Sequence, residues 1–245
     1  MGPASYTPVQ QELLARQLDE QIAARFPVGR RLDVLDAGPG GDGQALRLAR
    51  AGHKVTALEP DPAALEAVRT ELAGEPEGIQ ERVRLVQGDC GETGVHFTPG
   101  SFDLVLGHGV LMDAPEPDPL LAGLARMLAP GGLLSLVVRN ADAPAMRAGI
   151  AGDWAGALAA FDSGAPRHRL EALTATLAGI GAPLHAWYGV GVFGEPSGSA
   201  AAADPAGALL AEGAWEALLS VEERAGKTDP YRAVGEFVHL CGVRD

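Results

Sequence analysis

The stretch "LDVLDAGPGGDGQALRLARAGHKVTALEPD", from Leu32 to Asp61, decides the fold. An apolar run leads into a glycine cluster, a helix-like segment follows, and a second apolar run ends at Glu59. This order predicts a strand–helix–strand unit that binds a ligand where its strands end. The glycines permit a sharp turn and let a ligand approach the backbone. The stretch therefore predicts a site for a nucleotide or a charged nucleoside.

The same alternation of strand and helix continues along the chain. It predicts an α/β fold around a mostly parallel sheet. "QQELLARQLDEQIAARF" predicts an N-terminal helix, and Asp61, Pro62 and Gly74 are typical of the two ends of a helix. Pro-Gly-Gly at 130–132 is interpreted as the end of another helix, before a strand "LLSLVV". Residues 141–169 are predicted to be irregular, and "GEPSGSAAAADPAGALLAEG" is low in complexity.

Composition restricts the class of protein. The chain has 245 residues, 47% of them hydrophobic, and a formal net charge of −13. An acidic surface disfavours nucleic acid and anionic membranes, although a local basic patch can still bind RNA. No apolar stretch approaches the roughly 20 residues of a membrane span. With two distant cysteines and no secretion-signal pattern at the start, we expect a cytoplasmic protein without disulfide, membrane association or metal site.

Two ligands fit the glycine turn. Gly38, Gly40 and Gly43 satisfy the spacing of a dinucleotide-binding turn, and Glu59 can bind the hydroxyls of a ribose. NAD and S-adenosylmethionine both contain a ribose. Asp36, at the end of the first strand, favours the second ligand, as does Asp42 within the turn. Carboxylates repel a pyrophosphate, whereas they attract the ammonium and sulfonium groups of S-adenosylmethionine.

Three further residues at predicted strand ends are candidates for the methyl-donor site. Asp89 can accept a hydrogen bond from an adenine amino group, and the Cys90 backbone N–H can meet a ring nitrogen. Asp89 is equally interpretable as a turn residue. His108 is interpreted as a contact to the methyl donor rather than a catalytic base, and Asp113 is a second candidate base.

The first 140 residues, in this order of elements, resemble the class I S-adenosylmethionine-dependent methyltransferases. "SYTPVQQELL", "VVRNADAPAMRAGIAGDW", "YGVGVF" and "WEALLSVEERAGKTDPYRAVGEFVHL" are similar to the methyltransferases that esterify 5-carboxymethoxyuridine in tRNA. This resemblance implies a Rossmann-like, seven-stranded, mostly parallel sheet with an antiparallel last strand and helices on both faces. It also implies S-adenosylmethionine as cofactor, S-adenosylhomocysteine as product, and methyl-donor contacts from the following residues: Gly38, Pro39, Gly40, Glu59, Asp89, Cys90 and His108.

The resemblance also implies an acceptor side. In the arrangement of similar proteins, Asn140 would face the methyl acceptor, and Tyr6 and Tyr231 would help to close the site. The basic residues that meet tRNA in similar proteins are reduced here to Arg167, His168 and Arg169, and the later segment "GEPSGSAAAADPAG" has no basic residue. The sequence therefore leaves two classes of methyl acceptor open: tRNA, and a small-molecule acid, phenol or amine.

We interpret residues 1–245 as one methyltransferase domain. Residues 31–140 form its donor-binding core, and residues 141–213 include segments that cover the acceptor site. A methyl-donor-binding module without catalytic activity and an NAD-dependent dehydrogenase are the alternatives.

Overall fold

The computed structural model describes residues 6–39, 43–112, 114, 117–162, 169–193 and 212–245. Its strands are β1 Asp33–Ala37, β2 Lys54–Glu59, β3 Val83–Gln87, β4 Phe102–His108, β5 Leu128–Arg139, β6 Leu184–Val190 and β7 Phe237–Val243. Its α-helices are α1 Pro8–Arg25, α2 Gln44–Arg50, α3 Pro62–Ala73, α4 Glu77–Gln80, α5 Thr93–His96, α6 Pro117–Met127, α7 Ala143–Ile150, α8 Trp154–Asp162, α9 Leu170–Gly179 and α10 Glu212–Lys227. Short 3-10 helices cover Cys90–Glu92 and Tyr231–Val234. Throughout the described ranges, every helix is too short or too polar to cross a membrane.

The strands form one seven-stranded sheet in the order β3-β2-β1-β4-β5-β7-β6. Strands β1 to β5 pair in parallel, and β7 runs antiparallel to both β5 and β6. The mostly parallel sheet with an antiparallel last strand is confirmed. Because β1 lies between β2 and β4, the order of the strands reverses there, which opens a crevice at their carboxyl ends.

Helices cover both faces of this sheet, as predicted. Successive strand residues point to opposite faces. Leu35, Val105 and Leu136 belong to a core cluster with residues of α6 and α9. Their neighbours Val34 and Leu106 pack with residues of α1 and α2.

Helix α3 begins and ends as its sequence indicates. Asp61 precedes the helix, and its carboxylate accepts a hydrogen bond from the Ala63 backbone N–H at 3.0 Å. Pro62 lies in the first turn, and Gly74 follows the last residue. Since Asp61 stands two residues after Glu59, this cap also fixes where β2 ends.

Two sequence predictions are wrong. Pro-Gly-Gly at 130–132 lies inside β5, which begins at Leu128. The Gly131 backbone N–H donates to the Arg244 carbonyl at 2.8 Å, and the Gly132 carbonyl accepts from the Arg244 N–H at 3.0 Å, so this segment pairs with the residues after β7. Residues 141–169, predicted to be irregular, contain helices α7 and α8. Their many alanines, the best helix formers, outweigh the interspersed glycines.

Candidate active site

The candidate site lies at the carboxyl ends of β1, β2, β3 and β4. Asp36 pairs with Ala57 of β2 and with Leu106 of β4, so the ends of these strands lie side by side. Glu59 ends β2, and Asp89 follows β3. The predicted methyl-donor residues that the structure describes are thus on one edge of the sheet.

Gly38 makes the turn at the end of β1. Its φ is +71°, a left-handed conformation that glycine adopts without strain, and its N–H donates to the Leu58 carbonyl at 2.8 Å. A β-carbon at this position would lie 2.6 Å from Cγ1 of Val110. Pro39 is buried beside it. Gly40 and Asp42 are outside the described residues.

Because of this conformation, Gly38→Ala should lower the free energy of unfolding by ~1–2 kcal/mol. Gly149→Ala in α7 is the matched control, since a β-carbon there meets no atom within 4 Å. Alanine is also a better helix former than glycine, so the control should be stabilising by about 0.5–1 kcal/mol. Urea unfolding of both variants checks this expectation. Equal effects of the two substitutions would contradict the role of Gly38.

Glu59 is a buried carboxylate with 8% of its surface exposed. Its Oε1 accepts a hydrogen bond from the Asp61 N–H at 2.9 Å, which fixes the side chain at the end of β2. Burial raises the pKa of the Glu59 carboxyl above its ordinary value. A buried carboxylate at this position is suited to two hydroxyl donors, because their hydrogen bonds would compensate for its lost hydration.

Cys90 lies among the predicted methyl-donor residues. Its Sγ is buried and lies 3.6 Å from the Leu58 carbonyl oxygen. Burial, followed by the charges of Glu59, Asp89 and Asp36, raises the pKa of the thiol to about 12. The thiol is therefore protonated at neutral pH and is no nucleophile.

The carboxylates that act on Cys90 make this site acidic. Three carboxylates act on one point, at a crevice where two of them are buried: Asp36 and Glu59. Such a group of carboxylates, which accept hydrogen bonds and are negatively charged, fits a cationic ligand with ribose hydroxyls and fits a pyrophosphate poorly. Asp89 is exposed, and its carboxylate accepts from the Gly91 N–H at 2.7 Å. Among the described residues, no three histidines, cysteines or carboxylates are grouped so that they could hold a metal ion.

His108 ends β4 with its ring buried. Its Nε2 lies 2.8 Å from Oγ of Ser135 on β5, and the same hydroxyl lies 2.8 Å from Nε2 of His239 on β7. Asp113, the second candidate base, lies outside the described residues. Sequence reasoning missed Ser135 and His239. The available signal was a polar residue within each of two otherwise apolar strands, "LLSLVV" and "FVHLC".

Two of the predicted acceptor-side residues contact β7 or the segment that leads into it. Asn140 is buried; its Nδ2 donates to the carbonyls of Ala233 and Gly235, both at 2.8 Å, and its Oδ1 accepts from the Asp142 N–H. The ring of Tyr6 is buried 5.0 Å from that of Phe237.

The other acceptor-side candidates are less enclosed. Tyr231, in the 3-10 helix just before this segment, is 52% exposed. Arg169 is exposed and precedes α9, and Arg167 is outside the described residues.

A charged cluster lies beside Asn140; its two arginines are basic candidates that the sequence offers near the mouth of the site, whereas their carboxylate partner could not be identified from the sequence. The Glu236 carboxylate accepts from Nε2 of Gln10 at 2.8 Å and pairs with Arg147 at 3.2 Å. Arg139 lies 4.0 Å from the other carboxylate oxygen. Two guanidinium groups thus face one carboxylate, and the three side chains together are net positive.

Residues 35–136 match the methyltransferase domain family. With the fold and the acidic strand ends, this match defines the class: the chain is an S-adenosylmethionine-dependent methyltransferase. Its methyl donor is S-adenosylmethionine, and the dehydrogenase alternative is dropped.

Similarity to individual proteins extends over different lengths. A tRNA 5-carboxymethoxyuridine methyltransferase of Escherichia coli is 28% identical over 95% of this chain and 87% of its own length. A ubiquinone biosynthesis O-methyltransferase of Xanthomonas axonopodis is 33% identical, but over 49% of this chain and 48% of its own. The structure of an S-adenosylmethionine-dependent methyltransferase from Mesorhizobium loti shares the fold, with a TM-score of 0.54 and 16% identity over 92% of this chain and 96% of its own.

Proposed function

We propose that this enzyme esterifies the carboxylate of 5-carboxymethoxyuridine in tRNA. One observation carries the proposal: the similarity to a methyltransferase of that name spans 95% of the chain. It therefore includes the segments after residue 140, which in our interpretation cover the acceptor. The ubiquinone O-methyltransferase is similar over only about half of this chain.

In this proposal the acidic strand ends bind the methyl donor, which supplies the methyl group. Glu59 accepts hydrogen bonds from the ribose hydroxyls, and Asp36 attracts the cationic part of the ligand. Asp89 and the Cys90 backbone contact the adenine, while Gly38 and Pro39 form the turn against which the ligand lies, and Gly40 is proposed as a further contact. His108, from β4, is a further contact. Residues 31–140 are thus proposed as the donor-binding core of a single domain.

A carboxylate acceptor changes what the protein must provide. It is ionised at neutral pH, so it attacks the methyl group without a general base. The protein then has to align the acceptor oxygen and to exclude water. The net positive cluster of Arg139, Arg147 and Glu236 suits a carboxylate, and it adjoins Asn140 through the hydrogen bond from Asn140 N–H to the Glu236 carbonyl. Tyr6, Tyr231, Arg167 and Arg169 are proposed to complete this side.

Because arginines that bind tRNA neutralise its phosphates and displace counterions, we expect transfer to tRNA to fall as the salt concentration rises. About three phosphate contacts would lower it roughly 20- to 40-fold between 50 and 200 mM salt. Arg169→Glu should reduce transfer further, whereas Arg31→Glu, exposed before β1 at the opposite edge of the sheet, should have little effect. The measurement is the initial rate of methyl transfer to tRNA whose 5-carboxymethoxyuridine carries an unesterified carboxylate. No transfer at any salt from a protein that binds S-adenosylmethionine would eliminate tRNA as acceptor.

A small-molecule acceptor is the second candidate, and a specific surface favours it. Ile150, Trp154, Leu158 and Phe161 on α7 and α8 are all more than 60% exposed. This apolar surface lies within the proposed covering segments and suits an apolar phenol or acid better than RNA phosphates. If tRNA fails as acceptor, transfer to hydroxylated aromatic compounds is the test of this alternative. His108 or Asp113 would then serve as the base.

A further inference from the structure

Four buried polar side chains form a chain of hydrogen bonds across one face of the sheet. It runs from His108 on β4 through Ser135 on β5 and His239 on β7 to Gln17 on α1. The three links are each 2.8 Å long: His108 Nε2 to Ser135 Oγ, Ser135 Oγ to His239 Nε2, and His239 Nδ1 to Gln17 Oε1. Every member is 4% exposed or less. Only His108 has a role in the proposed function, so the other three require an explanation.

The orientation of Gln17 sets the direction of this chain. Its Nε2 faces the Gly189 carbonyl oxygen at 3.5 Å, and its Oε1 faces His239. The opposite amide orientation would place two acceptor oxygens, those of Gln17 and Gly189, against each other. An amide oxygen only accepts, so Nδ1 of His239 carries a proton.

His239 is the neutral member. Its ring is fully buried, and burial, followed by its electrostatic interaction with His108, lowers the His239 pKa well below its ordinary value. Its single proton is on Nδ1, so its Nε2 has a lone pair and accepts the Ser135 hydroxyl proton. The Cys241 thiol lies 3.4 Å from the same Nε2. Burial raises the pKa of this thiol, so it stays protonated, but it is a weaker donor at a longer distance, and the Ser135 hydroxyl at 2.8 Å takes the lone pair.

The direction of the last hydrogen bond, between Ser135 and His108, follows from the single hydroxyl proton of Ser135. Ser135 has one hydroxyl proton, which it donates to His239, so its oxygen accepts from His108. His108 therefore carries a proton on Nε2, and in the neutral ring the lone pair is on Nδ1. A proton added to Nδ1 of His108 leaves every hydrogen bond of the chain in place. A proton added to His239 would break the bond from Ser135.

We propose that Ser135, His239 and Gln17 are positioning residues that hold His108 as the Nε2-protonated tautomer, with Nδ1 as its accepting nitrogen. The inference rests on the proposed function only in placing His108 at the methyl-donor site. For a carboxylate acceptor, Nδ1 accepts a hydrogen bond from a bound group. For a hydroxyl or amine acceptor, the same atom removes the proton.

The test is nuclear magnetic resonance of the ligand-free protein with ¹⁵N-labelled histidine, in which long-range correlations show which ring nitrogen carries the proton. His108→Gln assigns the His108 signals. We expect wild-type His108 to be protonated on Nε2. In Gln17→Met the proton on Nδ1 of His239 loses its acceptor and moves to Nε2. The Ser135 hydroxyl then accepts from His239 and donates to Nε2 of His108, so His108 becomes mainly Nδ1-protonated. Gln17→Glu restores an acceptor and should keep the wild-type tautomer.

Gln21→Met is the matched control, because Gln21 lies one turn further along α1 and its Nε2 donates to the hydroxyl of Tyr188 instead. It should leave His108 unchanged. An Nδ1-protonated His108 in the wild type would overturn the proposal. So would a folded Gln17→Met variant with the wild-type tautomer.

If Gln17→Met does not fold, Ser135→Ala and Ser135→Thr replace it. A mixture of His108 tautomers is expected in the first and the wild-type form in the second, and identical spectra would contradict the proposal. No methyl acceptor is needed, so failure of the tRNA proposal leaves this result unaffected.

Discussion

Glu59→Gln should weaken S-adenosylmethionine binding by ~2–4 kcal/mol, about 30- to 1000-fold, because it replaces charge-assisted hydrogen bonds to the ribose hydroxyls by neutral ones. The substitution is nearly isosteric, and the glutamine oxygen can still accept the Asp61 N–H. The fold at the end of β2 should therefore survive. Calorimetric titration with S-adenosylmethionine measures the loss, and Glu81→Gln, exposed after α4, is the control. Unchanged affinity in Glu59→Gln would overturn the assignment of the ribose site.

The same substitution should stabilise the ligand-free protein at neutral pH. Burial raises the pKa of Glu59 in the folded state above its unfolded value, so the folded protein binds the proton more tightly. This contribution to stability is complete below the ordinary carboxyl range and is lost as pH rises through the raised pKa. Glutamine cannot ionise, so urea unfolding should show a gain for Glu59→Gln that grows from acidic to neutral pH. A gain that is constant with pH would contradict the role of burial.

Asn140→Asp should lower the free energy of unfolding by ~2–4 kcal/mol at pH 7. In the wild type the NH₂ group of Asn140 donates to two carbonyl oxygens, both at 2.8 Å. The substitution replaces this NH₂ group by an oxygen, which cannot donate. Three oxygens would then face one another in a buried site, and the segment before β7 would lose its attachment to the end of β5. Urea unfolding with circular dichroism measures the change.

Asn140→Ala provides the comparison, since it removes the same bonds without adding charge. At neutral pH the aspartate variant should be the less stable of the two. Acidification protonates the carboxyl and supplies one donor, so the difference should shrink towards pH 5. If Asn140→Asp were as stable as the wild type, these two hydrogen bonds would not hold the segment.

The sequence was most informative where local chemistry determines structure. Asp61, Pro62 and Gly74 define α3 because capping depends on residues within one turn of the helix end. The apolar strands and their polar ends likewise predicted the sheet and the edge at which the candidate site lies. Pro-Gly-Gly was misassigned because its pairing with Arg244 joins residues that are far apart in sequence.

The acceptor side was less predictable for the same reason. Glu236 meets Arg147 and Gln10 only after α7, α1 and the segment before β7 come together. The chain from His108 to Gln17 similarly joins three strands and a helix. Asn140 was placed at the correct strand end by resemblance, but its two carbonyl partners could be identified only from the structure. Its contact with an acceptor stays a prediction.

The most direct test of the proposed reaction is the chemical stability of the transferred methyl group. The enzyme is incubated with S-adenosylmethionine labelled in the methyl group and tRNA whose wobble uridine carries a free carboxymethoxy group, and the product is treated with mild alkali. We expect label on the tRNA that is released as methanol, because a methyl ester hydrolyses in alkali whereas methyl ethers and N-methyl groups do not. Label that stays on the tRNA after alkali, or no label on tRNA from an enzyme that binds its methyl donor, would contradict esterification of the wobble carboxylate.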